Sequence, residues 1–115
     1  MTPAARVQAA IELLDSIIVA ARGKGAPADR IIAEYFRARR YAGSKDRRAV
    51  RDLVYRAIRL CGPVPVSGRA AMLAVAGIDA NVAALFDGSA HGPAARGEGE
   101  EFRRGQTAED GRPAE

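Results

Sequence analysis

Apolar residues recur at three- and four-residue intervals through the first three-quarters of this chain, and residues that start or stop helices bracket each recurrence. The first stretch begins at Thr2 and Pro3, where a proline at the first helical position sacrifices no hydrogen bond. It runs to about Arg22, with Val7, Ala10, Ile11, Leu14, Ile17, Ile18 and Ala21 as its apolar stripe and Gly23 and Gly25 as breakers. Arg6 falls on its polar side with Gln8, Glu12 and Asp15. A loop containing Pro27 leads to a second predicted helix, about Ala28 to Arg40, with Asp29 near its start and Ile31, Ile32, Tyr35 and Phe36 on its apolar side.

The most sharply defined helix spans Gly43 to Gly62, with Ser44 as N-cap, Asp46 in the first turn and Gly62 as stop signal. At about 100° per residue, Ala49, Val50, Leu53, Val54, Ala57, Ile58 and Cys61 share one face, and Arg48, Asp52, Tyr55 and Arg59 lie opposite. Arg51 and Arg56 flank them. Pro63 to Val66 reads as an extended connector. Ser67 then introduces a fourth helix, Arg69 to Ala76, and Asp79 caps a short fifth, Ala80 to Asp87. Both are poor in polar residues and read as packing elements, with Met72 and Phe86 in the core. The expected fold is an all-α, five-helix bundle over residues 1–88. From Ser89 the periodicity vanishes into a polar stretch rich in Gly, Pro, Glu and Arg, expected to be a disordered tail over 89–115.

Composition narrows the function. The chain of 115 residues is 48% hydrophobic and carries a formal charge of +4, enough for one small domain. No apolar run approaches the roughly 20 residues of a membrane span, and a soluble, cytoplasmic protein is the expectation. Cys61 is the only cysteine, which excludes an internal disulfide or a multi-cysteine metal site, and its helical context makes it a buried core residue. His91 has no neighbouring ligand residues and reads as an exposed loop position. No Gly-rich loop follows a strand, no base accompanies the thiol, and the carboxylates beside arginines should stay ionised. The expectation is therefore a non-enzyme with no cofactor and no metal.

The charge is unevenly placed. Residues 1–88 hold 14 Lys or Arg against 8 Asp or Glu, whereas 89–115 hold 4 against 6. Between Arg37 and Arg51 lie seven cations (Arg37, Arg39, Arg40, Lys45, Arg47, Arg48, Arg51) and a single acid, Asp46. Cations this dense repel one another unless an anion or solvent relieves them. Tyr55 lies one turn from both Arg51 and Arg59. A ring among guanidinium groups is a combination that binds single-stranded RNA, through base stacking and phosphate contacts. The blander alternatives are that the helix-end arginines answer the helix dipole, that Arg48 and Asp52 form a surface pair, and that Tyr55 packs on a neighbouring helix.

Pro3 to Leu14, P-A-A-R-V-Q-A-A-I-E-L-L, resembles the first helix of the NusB/RsmB domain, an all-α RNA-binding fold. Ser44 to Arg59, S-K-D-R-R-A-V-R-D-L-V-Y-R-A-I-R, resembles the central helix of the N-terminal domain of RsmB/NOP-family RNA cytosine-5 methyltransferases. S-G-R-A-A-M-L-A and L-F-D-G-S-A-H-G-P-A are similar to the same family, so the resemblance covers Thr2 to about Ala95. It implies a domain that engages rRNA or a transcript beside a separate methyltransferase unit, with a link to transcription regulation as in NusB. The family's catalytic Thr-Cys-Pro and Pro-Cys motifs and its S-adenosylmethionine domain have no counterpart here, since Cys61 is followed by Gly62. Residues from about Arg96 read as a divergent, truncated or frameshifted remnant of the family's connector. The candidate RNA contacts are Arg6, Arg37, Arg39, Arg40, Lys45, Arg47, Arg48, Arg51, Tyr55 and Arg59. Two alternatives remain open: a helical protein-interaction module with acidic, ribosomal or transcription-factor partners, and a fragment of a methyltransferase.

Overall fold

The computed structural model describes residues 1–61, 65–97 and 100. Among them are five α-helices and no strand: α1 (Pro3–Arg22), α2 (Ala28–Arg37), α3 (Ser44–Cys61), α4 (Gly68–Ala76) and α5 (Ala80–Ala83). Gly62, expected to end α3, and the first half of the proline connector lie outside the described residues, as do 98–99 and 101–115.

The centre of the bundle is α1 against α3 and α4, with α2 leaning on α1 and α5 on α4. α1 starts where Thr2 Oγ1 accepts from the Ala5 N–H at 3.1 Å, and Gly23 closes it by donating to Ala20 O. Its buried stripe, Val7, Ala10, Ile11, Leu14 and Ile18, is widened by Ala4, Ala9 and Leu13, whereas Ala21 is exposed at the last turn. α4 is buried on every side, as a helix nearly free of polar residues must be. Met72 and Val75 are inaccessible, and Ser67 Oγ caps the helix through the Ala70 N–H. Gly68 sets the α1–α4 spacing: it donates to Asp15 Oδ1 at 2.7 Å, and a Cβ there would collide with the Ile11 carbonyl oxygen.

α2 ends at Arg37 rather than Arg40. A continuing helix would bond the Arg39 N–H to Tyr35 O. Instead that N–H turns to Phe36 O at 3.0 Å, and the Arg39 guanidinium takes Tyr35 O at 3.1 Å. The side chain thus replaces the helical bond, and the chain turns toward Ala42.

At the head of α3, Gly43 rather than Ser44 is the cap, because Gly43 O accepts from the Arg47 N–H at 3.0 Å. Asp46 reaches back to the Gly43 N–H at 3.3 Å, the return half of a capping box. α3 buries a narrower seam than expected, Val50, Val54, Ala57 and Cys61. Ala49 and Leu53 are half-buried on one flank, and Ile58 is 37% exposed because it lies past the cover of neighbouring helices. Tyr55 is half-buried on the other flank, packed against the core edge. Cys61 is buried, which pushes its thiol pKa up.

α5 is a single turn, Ala80–Ala83, shorter than the expected run to Asp87. Tighter bonds from Leu85 to Val82 O and from Phe86 to Ala83 O take over beyond it. The expectation of disorder from Ser89 does not hold for 89–97 and Glu100. Pro93 is buried, its carbonyl accepts from the Gly88 N–H, and Gly92 packs on Ala4. Arg69 grips the segment, donating to Ala94 O, Ala95 O and both oxygens of Glu100. One anchoring proline and one multivalent arginine hold a segment that has no helical period for a sequence pattern to detect. The packed body therefore extends past residue 88.

Candidate nucleic-acid interface

α2 and α3 are joined by the short connection 38–43, and both rest on the centre of the bundle, leaving a groove of about 740 Å³ between them. Its α2 wall is Asp29, Ile32, Ala33, Phe36 and Arg37, which recur at helical spacing, with Arg40 beyond the helix end. Its α3 wall is Arg47, Arg51 and Tyr55, one turn apart on the flank beside the buried seam. Ile32 and Phe36 are almost wholly buried and form an apolar floor. Four guanidinium groups, one phenol and one carboxylate line the rim.

Five of the ten residues proposed from sequence therefore share one site: Arg37, Arg40, Arg47, Arg51 and Tyr55. Arg37, Arg40 and Arg51 form no ion pair or hydrogen bond among the described residues. Arg47 donates to Ala42 O at 3.1 Å, which ties its stem to the junction. Four arginines against a single carboxylate, beside an apolar floor, create a net positive potential to which a phosphate is complementary.

The other five are placed elsewhere. Arg39 stacks over the Tyr35 ring at 3.7 Å and lines a separate groove against α1, next to Glu12 and Tyr41. There Tyr35 donates to Glu12 Oε1 at 3.0 Å, and burial together with that carboxylate raises its pKa to about 12. Arg6 lies on Asp46 at 2.8 Å, on the α1–α3 side. Lys45, Arg48 and Arg59 are exposed but outside the groove lining. No Arg48–Asp52 ion pair forms among the described residues.

Asp46, the single acid in the cationic segment, is 9% exposed and accepts from Arg6, Gly43 and the Met1 ammonium. Arg6 above all holds its carboxyl below the usual range, against the opposing effect of burial. Its charge is thus spent inside the bundle and does not neutralise the groove. Arg56 is similarly occupied by Asp79 at 2.7 Å.

Sequence reasoning did not single out Asp29, Ala33 or the floor residues as part of a site. The signal was the i, i+3, i+4 and i+7 spacing of Asp29, Ile32, Ala33 and Phe36, which places the acid on the face that the arginines continue. Among the described residues no group of three His, Cys, Asp or Glu could hold a metal ion, and no helix is long and apolar enough to cross a membrane. Compared with family models, curated proteins and solved structures, the chain has no significant match to any.

Proposed function

We propose that this chain is a non-catalytic RNA-binding module, and that the α2–α3 groove is its interface with single-stranded RNA. The observation that carries the reading is the convergence of Arg37, Arg40, Arg47 and Arg51 with Tyr55 over the apolar floor of Ile32 and Phe36. Guanidinium groups hold phosphates, and the half-buried Tyr55 ring takes a base. The sequence resemblance to the NusB/RsmB helical domain agrees with this and favours rRNA or a transcript as the RNA, beside a methyltransferase or transcription factor. The five-helix architecture is compatible with that resemblance.

Fluorescence anisotropy with labelled single-stranded RNA at 50 and 200 mM salt tests the reading. Binding should weaken with salt, by a slope of roughly −0.7 in log affinity per phosphate contact. Absence of binding at low salt, or binding unchanged in an Arg37→Ala/Arg51→Ala variant, overturns it. The apolar floor beneath an arginine rim also suits an acidic peptide. A complex in lysate that sediments unchanged after nuclease treatment would favour that second reading.

A further inference from the structure

The groove's cations thin out from one end to the other, with Arg51 midway. Arg37, Arg40 and Arg47 crowd the end closed by residues 38–43, whereas Asp29 stands in the first turn of α2 and Tyr55 lies two turns beyond Arg47 on α3. At 1.5 Å per residue, about 12 Å of helix separates Arg47 from Tyr55. Asp29 is exposed and makes no hydrogen bond or ion pair among the described residues, so its carboxylate is free to accept. A groove with phosphate-binding guanidinium groups at one end and a pure acceptor beside a ring at the other has the polarity of a nucleotide.

Resting on the RNA reading above, the geometry points to a guanine pocket: one unstacked guanine of a single strand lies against the Tyr55 ring with its Watson–Crick edge on Asp29, and its neighbouring phosphates lie on the arginines. An ionised carboxylate only accepts hydrogen bonds. Guanine alone presents two adjacent donors, N1–H and the N2 amino group, and can engage both carboxylate oxygens. Adenine and cytosine each set an acceptor nitrogen beside their amino group, which a carboxylate repels. Uracil offers one N–H between two carbonyl oxygens. Single-stranded bases are read on this edge, and a bidentate contact discriminates by about tenfold or more.

The test uses the full chain and nine-nucleotide, fluorescein-labelled uridine RNAs carrying one central guanine, inosine, adenine or cytosine. The expected order is guanine first, inosine weaker for want of the N2 amino group, and adenine and cytosine at least about tenfold weaker. Asp29→Asn should collapse the guanine-to-adenine ratio to within about twofold. Binding of the all-uridine strand should not weaken, because the variant removes the groove's one negative charge. A merely structural role at the helix start would shift all four RNAs together. Equal affinity for the four RNAs, or an undiminished ratio in Asp29→Asn, overturns the guanine pocket while salt-sensitive binding leaves the RNA reading standing. Failure of every RNA to bind at low salt overturns both.

Discussion

Arg6 and Asp46 meet at 2.8 Å across the α1–α3 interface, and through Asp46 the same contact reaches the Gly43 N–H that opens α3. The pair therefore fixes where the cationic junction begins. It also explains why the one acid among seven cations does not quench them: its lone pairs are already taken from the α1 side.

Replacing either partner should destabilise the fold. Asp46→Ala removes the acceptor shared by Arg6, Gly43 and the Met1 ammonium, and should lower the thermal midpoint by several degrees at neutral pH. Arg6→Ala should do much of the same, and the double variant should be little worse than Asp46→Ala, because residues in one hydrogen-bond network are not additive. Thermal unfolding of the three variants checks this.

Gly68→Ala tests the α1–α4 approach. The new methyl group would meet the Ile11 carbonyl, which is backbone inside a helix and cannot rotate away. Overpacking of this kind costs about 1–3 kcal/mol, visible as a lower urea midpoint with little change in slope. Gly43, with open space around its Cβ position, should accept alanine far better.

Acid should loosen the 89–97 segment before α1, α3 and α4 separate. Arg69, chiefly through its direct bond, brings the Glu100 carboxyl from 4.5 down to about 2. A lowered folded-state pKa means the unfolded chain binds the proton first as pH falls. The stabilisation is therefore complete above about 4.5 and disappears as the pH drops toward about 2. Asp46 and Asp79, lowered chiefly by Arg6 and Arg56, act in the same direction. Thermal midpoints from pH 7 to 2 should be flat and then fall, and Glu100→Gln should flatten the acidic limb.

The groove arginines should separate binding from stability. Arg37, Arg40 and Arg51 are exposed and unpaired among the described residues, so their triple alanine variant should keep the wild-type unfolding free energy to within about 0.5 kcal/mol per site. The same variant should reduce the salt slope of RNA binding by roughly 2, at about 0.7 per lost phosphate contact. Arg39→Ala should leave that slope unchanged, because its guanidinium is committed to the Tyr35 ring and carbonyl.

Helix existence was legible because periodicity, caps and breakers coincided: Thr2–Pro3, Ser67 and Asp79 each sit where a helix begins. Helix ends were less so. Nothing in A-R-R-Y announces that the Arg39 guanidinium will take Tyr35 O, because that choice depends on the Tyr35 ring offering its face. The cation cluster was visible as composition, yet its division into groove, stack and ion pair depends on which flank of each helix α1 covers. Arg6 and Asp46 are 40 residues apart, and no local pattern joins them. The hold of Arg69 on Ala94 and Ala95 is likewise a contact between distant segments, made to backbone carbonyls that carry no sequence signature.

The seating of α2 has a mechanical consequence. Its main support is α1, across which the Tyr35–Glu12 bond runs, and it shares little direct packing with α3. The wall bearing Arg37 is thus tied to the bundle chiefly through one neighbour, whereas α1, α3 and α4 all pack on one another. Its amides should take up deuterium ahead of those in α4, and an occupant bridging the two walls should slow that uptake by adding a second tie, from α2 to α3.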